Sequence, residues 1–178
     1  MVRNSGKKST RIIGVISDTH GLVRPEALRA LKGADLLIHA GDIGRPEVIE
    51  ALRSISSVVT VRGNIDRGEW ARNLPETEVV EFGDLLIYVL HDVNNIDLDP
   101  GKAGFCAVIS GHSHCPSITR RKGVLYLNPG SAGPRRFKLP VTIARLRVKG
   151  ASVDAEVIEL SVEVVFDFKP VEIIRGRR

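Results

Sequence analysis

Apolar positions along the chain fall into short runs, and the spacing of those runs changes about a third of the way through. Residues 12–17 (Ile-Ile-Gly-Val-Ile-Ser) are almost continuously apolar and predict a buried strand. Residues 25–32 place Ala27, Leu28 and Leu31 at helical spacing behind Pro25, which suits a first helical turn. A second strand is expected over 35–40, a second helix from Pro46 carrying Val48, Ile49 and Leu52, and a third strand over 58–61. Strand–helix–strand–helix–strand at this spacing predicts parallel pairing.

After Arg67 the helical spacing disappears. Residues 79–82 and 85–90 read as two strands of a hairpin turning at Gly83-Asp84. Further strands are expected at 105–109, 123–127, 140–148, 155–160 and 162–168, with Lys149-Gly150 as the turn before the last pair. Nine to eleven strands are too many for one sheet to bury easily. The fold class is therefore α/β, with two facing sheets and helices outside them. Residues 93–104, rich in Asn, Asp, Gly and Pro, form the one longer loop. No internal repeat or second-domain boundary is visible. The expected organisation is a basic tail over 1–11, one domain over 12–172 and a second basic tail over 173–178.

Composition narrows the class. At 178 residues and 43% apolar content the chain can bury a sizeable core, and with only 4% aromatic residues that core must be aliphatic. Two cysteines are too few for a disulfide scaffold. Cys106 sits in an apolar run as a small core residue, whereas Cys115 directly follows His114, within chain reach of any site there. No run is long enough to span a bilayer, and the basic start becomes polar too quickly for a signal peptide, so a cytoplasmic protein is expected. Net charge is +5, with the excess concentrated at the termini, in Arg120-Arg121-Lys122 and in Arg135-Arg136. This favours anions in general. Without interleaved aromatic residues it is weak support for nucleic acid. Self-association is left open.

The chemistry lies in the polar segments that follow the apolar runs. Asp18-Thr19-His20 follows the first predicted strand, Gly41-Asp42 the second, Gly63-Asn64 the third, His91 the strand over 85–90, and Gly111-His112-Ser113-His114 the strand over 105–109. Parallel strands bring the first three segments to one sheet edge, the usual ligand-bearing edge of α/β sheets. In extended chain, residues i and i+2 face the same way, so Asp18 with His20, and His112 with His114, can each turn toward one ion. Seven N and O donors suit two divalent cations sharing a carboxylate, with Asp42 as the central bridge. A structural zinc needs only four and prefers cysteine. His39, behind Leu-Leu-Ile, reads instead as a satisfied strand-end histidine.

In this order and completeness the segments resemble the calcineurin-like metallophosphoesterases, specifically their small bacterial and archaeal phosphodiesterase branch. Leu127-Asn-Pro-Gly-Ser131 adds to the match, which runs from about Ile12 to Arg136. The resemblance implies a four-layer α-β-β-α sandwich with mixed sheets. It implies that Asp18, His20, Asp42 and His114 hold one ion and that Asp42, Asn64, His91 and His112 hold a second. Manganese is the first expectation, with iron, zinc, nickel or cobalt also compatible with mixed O and N ligation. The expected reaction is metal-dependent attack of water on a phosphate ester.

Two departures bear on substrate. Larger relatives carry a proton-donating histidine after Gly-Asn, but here Ile65 and Asp66 follow. Loss of that acid disfavours poor alkoxide leaving groups and keeps diesters ahead of monoesters. Asp92 stands where relatives commonly have glycine, either supporting His91 or repelling an anion. Asp66, Asp92, Asn128, Gly130, Ser131 and Arg135 are the candidates for substrate contact or support of the ligands. Two rival readings are a non-catalytic scaffold of the same fold and a nuclease.

Overall fold

The computed structural model describes residues 10–136 and 138–161, and in it the chain forms ten strands. In chain order these are β1 (Arg11–Ile16), β2 (Leu36–His39), β3 (Val58–Thr60), β4 (Thr77–Phe82), β5 (Leu85–Leu90), β6 (Ala107–Ile109), β7 (Ser117–Arg121), β8 (Val124–Asn128), β9 (Thr142–Lys149) and β10 (Ser152–Glu159). Helix α1 (Pro25–Leu31) joins β1 to β2, and α2 (Pro46–Arg53) joins β2 to β3. Both open on a proline with a glutamate in the first turn, and each carries an arginine in its last turn, which suits the helix dipole. The strand expected over 162–168 and most of the two basic tails lie outside the described residues.

Two five-stranded sheets form, in the orders β10-β9-β1-β2-β3 and β4-β5-β6-β8-β7. Both are mixed: β1, β2 and β3 run parallel, as do β5, β6 and β8, with antiparallel strands outside them. Side-chain alternation decides what faces what. Ile13 and Val15 of β1 and Ile38 of β2 point toward Ile87, Val89, Ala107, Ile109, Leu125 and Leu127 of the other sheet. Ile16 and Leu37 point the opposite way, onto Ala27, Leu31, Val48, Ile49 and Leu52 of the two helices. The outer face of the second sheet, at Tyr88, Leu90 and Val108, is covered by Ile96, Leu98 and Phe105 from the loop after β5. That loop contains a short helical turn, Val93–Asn95. The expected α/β sandwich of two mixed sheets flanked by short helices is therefore present.

One strand was not expected. β7 is exposed along its whole length and has no apolar side to bury, so hydrophobic spacing carries no sign of it. It forms because Lys122 and Gly123, both at positive φ, make a two-residue turn that folds the chain back onto β8.

Register sets where the site lies. Ile16 pairs with His39, and His39 with Thr60, so the chain leaves β1, β2 and β3 at one edge. The parallel trio of the second sheet ends on the same side, because Gly111 N–H donates to the His91 carbonyl at 2.9 Å and His112 N–H crosses to Asp18 Oδ2 at 3.1 Å. Both sheets deliver their polar segments to that edge.

Candidate metal centre

Backbone conformation at this edge is unusual. Among the described residues six non-glycine positions have positive φ, and five of them are Asp18, His20, Asp42, His112 and His114. Left-handed backbone costs an ordinary side chain roughly 1–2 kcal/mol, so such a concentration marks a site held in place by its surroundings. Part of the clamp is glycine. A Cβ on Gly63 would lie 2.0 Å from the Asp42 backbone nitrogen, and one on Gly111 would lie 2.7 Å from Asp18 Oδ2. The residues before Asn64 and His112 must be small for the ligand segments to touch.

Asp18, His20, Asp42 and His114 each offer one ligand atom, and the four atoms lie within 4.8 Å of one another. His20 Nε2 is 3.4 Å from His114 Nε2 and 3.8 Å from Asp42 Oδ2, while His114 Nε2 is 3.3 Å from Asp18 Oδ1. Asp18 is fully buried, yet Asp18 Oδ1 has no hydrogen-bond partner, nor has His114 Nδ1. An unsatisfied carboxylate oxygen away from water is costly, and two imidazole nitrogens facing each other repel unless a proton or cation lies between them. This donor set fits a divalent cation that prefers oxygen and nitrogen.

The remaining predicted ligands gather against the other oxygen of Asp42. His91 Nε2 is 3.2 Å from Asp42 Oδ1 and 3.0 Å from Asn64 Oδ1, and His112 Nδ1 is also 3.0 Å from Asn64 Oδ1. His91 Nδ1 faces the Ala40 carbonyl at 2.8 Å, which requires its N–H there and leaves Nε2 pointing at the two oxygens. Unlike the first group, this one has no buried side-chain N or O atom without a hydrogen-bond partner, and His112 is exposed.

Charge follows the same division. Burial pushes the Asp18 carboxyl up to about 6. Burial, followed by the nearby charges of Arg136 and His20, pushes His114 down to about 4. His20 is also lowered by burial, with Asp42 opposing and Arg136 adding to the shift. Both imidazoles are therefore neutral at pH 7, the form that donates a lone pair. Burial raises Asp42, but hydrogen bonds from His91 and the Ile65 N–H, with the charges of His91 and His20, outweigh it and hold the carboxylate below its ordinary range. Burial would lower His91, yet its hydrogen bonds to Asp42 and Ala40 hold it above its ordinary range. His39 stays outside the cluster. It is fully buried and pushed down to about 3 by burial; Nε2 contacts Thr19 Oγ1 at 2.9 Å, but Nδ1 has no partner, so only half of the expected satisfaction is met.

The other predicted residues act mainly on the backbone. Asp66 is buried and accepts N–H groups from Gly44 and Gly63 at 2.8 Å each, joining the loops after β2 and β3. Asn128 donates to the Gly111 carbonyl and to Ser113 Oγ, and accepts from Gly130 N–H. The Gly130 carbonyl accepts from Ser17, and the Ser131 hydroxyl donates to the Asp18 carbonyl. The segment after β8 thus buttresses the segment after β1. Asp92 Oδ1 accepts from Asn94, while Oδ2 lies 3.7 Å from His112 Nε2. Arg135 turns away and donates to the Leu139 carbonyl; its neighbour Arg136 reaches His20 Nε2 at 3.3 Å. Cys115 is exposed and outside the ligand group, and Cys106 is half-buried against Leu86. Arg120 is occupied by the Val153 carbonyl and Asp154, and Arg121 lies over Tyr126, so that basic patch is already partnered.

From Asn64, His91 and His112 a cleft of about 660 Å³ extends past Asp92, Asn95 and Asp97 on one side and Arg62, Glu76 and Thr77 on the other. Among the described residues no helix is long and apolar enough to cross a membrane.

Comparison with known proteins agrees with this architecture. Residues 12–151 match the calcineurin-like phosphoesterase superfamily domain. The chain is similar to a probable metallophosphoesterase of Methanocaldococcus jannaschii, 37% identical over 153 residues that cover 79% of this chain and 77% of that protein. It is also similar to one of Methanothermobacter thermautotrophicus, 32% identical over 165 residues covering 86% and 95%. The structure of Vacuolar Protein Sorting 29 from Cryptosporidium parvum superposes with a TM-score of 0.71 at 23% identity, covering 85% of this chain and 92% of that one, and so shares the fold. The chain belongs to the calcineurin-like metallophosphoesterase superfamily.

Proposed function

We propose that the chain is a dinuclear metal-dependent phosphodiesterase acting on small diesters. The observation that carries this reading is the position of Asp42. Its Oδ2 faces His20 at 3.8 Å and its Oδ1 faces His91 at 3.2 Å, so one carboxylate stands between two histidine groups. Asp18, His20 and His114 would complete one ion site with it, and Asn64, His91 and His112 the other. Manganese suits this mixture of oxygen and nitrogen donors, as would iron, zinc, nickel or cobalt. Bound cations would supply an acidified water and neutralise charge developing on the phosphoryl oxygens.

The protein's own part is arrangement. Asp18 and Asp42 provide two negative charges to collect the ions, and the neutral imidazoles and Asn64 add donors without making the site repel a phosphate. The Ala40 carbonyl fixes the tautomer of His91, and the peptide N–H of His112 holds Asp18 Oδ2. The cleft that opens from Asn64 and His112 has the volume of an ordinary small-molecule site, which favours a compact diester over a polymer. Ile65, partly exposed after Asn64, has no proton to give a leaving group. Diesters with good leaving groups are therefore the favoured class.

The test is hydrolysis of bis-p-nitrophenyl phosphate by metal-stripped protein titrated with manganese, with His112→Ala alongside and p-nitrophenyl phosphate as the monoester control. Activity that needs the metal, falls by about 10²-fold or more in the variant and prefers the diester is the expected result. Folded protein that binds manganese, cobalt or zinc but hydrolyses neither ester would remove the proposal.

A further inference from the structure

Arg136 places a guanidinium in the one spot where a metal centre should not tolerate a cation. Its Nη2 lies 3.3 Å from His20 Nε2, the nitrogen that converges with Asp18, Asp42 and His114. The contact is a hydrogen bond, the guanidinium donating to the imidazole lone pair. A divalent cation held by that nitrogen would compete with Arg136 for the lone pair and would place a second positive charge near the guanidinium. An anion between them would balance both charges.

The backbone leading to Arg136 is also anchored. Arg24 donates from Nε and Nη2 to the carbonyls of Ala132 and Gly133, and Ala132 N–H donates to the Ser17 carbonyl. Gly133 presses so closely on the Asp18 carbonyl that an added Cβ would lie 2.3 Å from it. The segment 131–133 is thereby fastened to the segment bearing Asp18 and His20, and the chain three residues on presents Arg136 at the exposed side of the cluster. Neither neighbouring arginine could take its place, because Arg24 is engaged by the two carbonyls and Arg135 donates to the Leu139 carbonyl.

We propose that Arg136 binds the non-bridging phosphoryl oxygens of the substrate at the exposed side of the cluster. The inference rests on the phosphodiesterase reading and assigns to Arg136 the role that the sequence had suggested for Arg135. No bond is made or broken by the arginine. Its planar fork suits two phosphoryl oxygens at once, which lysine cannot match.

Calorimetry separates this inference from the reading beneath it. Manganese is titrated into metal-free wild type, Arg136→Ala, Arg136→Lys and Arg135→Ala, and inorganic phosphate is then titrated into each manganese-loaded protein. Arg136→Ala should bind manganese at least as tightly as wild type and phosphate about 10- to 100-fold more weakly, with partial recovery in Arg136→Lys and a change within about twofold in Arg135→Ala. Phosphate affinity in Arg136→Ala within about twofold of wild type overturns the inference while leaving the hydrolase reading intact. Loss of manganese affinity in Arg136→Ala also overturns it, because the arginine would then be shaping the metal ligands. Failure of manganese-loaded wild type to bind phosphate at all overturns both.

Discussion

The two sides of Asp42 are built by different rules. On one side Asp18 is fully buried, and Asp18 Oδ1 and His114 Nδ1 are left without hydrogen bonds. On the other side Asn64, His91 and His112 hydrogen-bond among themselves, His112 is exposed, and the cleft begins at their edge. The first side leaves a buried carboxylate oxygen unsatisfied, which a cation would relieve. The second has its buried polar atoms partnered and borders the cleft. On the proposed dinuclear reading, the buried side should bind its ion more firmly than the accessible side.

Removing the shared carboxylate tests the division most severely. Asp42→Ala takes a donor from both sides at once, and activity should fall by about 10³-fold or more, since both charge collection and the positioning of water depend on it. Metal analysis of the variant should show both occupancies reduced. A variant that keeps one full equivalent and loses the other would mean that Asp42 serves only one side and that the bridging reading is wrong.

The unsatisfied carboxylate of the buried side should show itself in stability. The pKa of Asp18 is raised from 3.8 to about 6 in the fold, so the native state holds this proton more tightly than the unfolded chain does. Its contribution to stability is present below about pH 4 and is lost as pH rises to about 6. At neutral pH, metal-free protein therefore carries a penalty of about 3 kcal/mol from this group. Asp18→Asn keeps the shape and removes the charge. Its metal-free melting temperature should exceed that of wild type by roughly 6–12 °C at about pH 7.5, with the gap narrowing below about pH 6. Manganese should raise the wild type and close the gap, because binding to the native state alone is stabilising. Equal melting temperatures at neutral pH without metal would show that Asp18 is better solvated than its burial indicates.

These differences were only partly legible in the sequence. The parallel strands, the glycines before Asn64 and His112 and the gathering of the polar segments at one edge follow from apolar runs ending in short polar segments, because each is a local pattern. What escaped depends on how distant backbones meet. β7 pairs as an edge strand with no apolar face, so no periodicity marks it. Asp66 and Ser131 carry chemistry suited to a substrate, yet they are engaged by peptide groups of Gly44, Gly63 and Asp18. The choice between Arg135 and Arg136 turns on which one the loop after β8 leaves beside His20, and adjacent arginines are indistinguishable until that loop is fastened.

Asp92 offers the finest test, because it separates support of the accessible side from repair of the loop beside it. Its Oδ2 lies 3.7 Å from His112 Nε2, within ion-pair range though longer than a hydrogen bond, while Oδ1 accepts the Asn94 N–H and caps the turn Val93–Asn95. A carboxylate behind a ligating imidazole orients the ring and raises its basicity, and losing one typically weakens the metal by about 10- to 100-fold. The long separation places Asp92 at the low end. Asp92→Gly should weaken the second manganese by about 10-fold and leave the first unchanged, as read by calorimetry at saturating occupancy of the tighter site. Asp92→Ser retains a capping oxygen but cannot reach His112, so it should behave like the glycine variant. If Asp92→Ser instead matches wild type, capping the turn is the residue's whole contribution. If both variants bind the second ion more tightly, the carboxylate is a source of strain on that side, and the asymmetry about Asp42 comes from repulsion in the cleft rather than from burial beneath it.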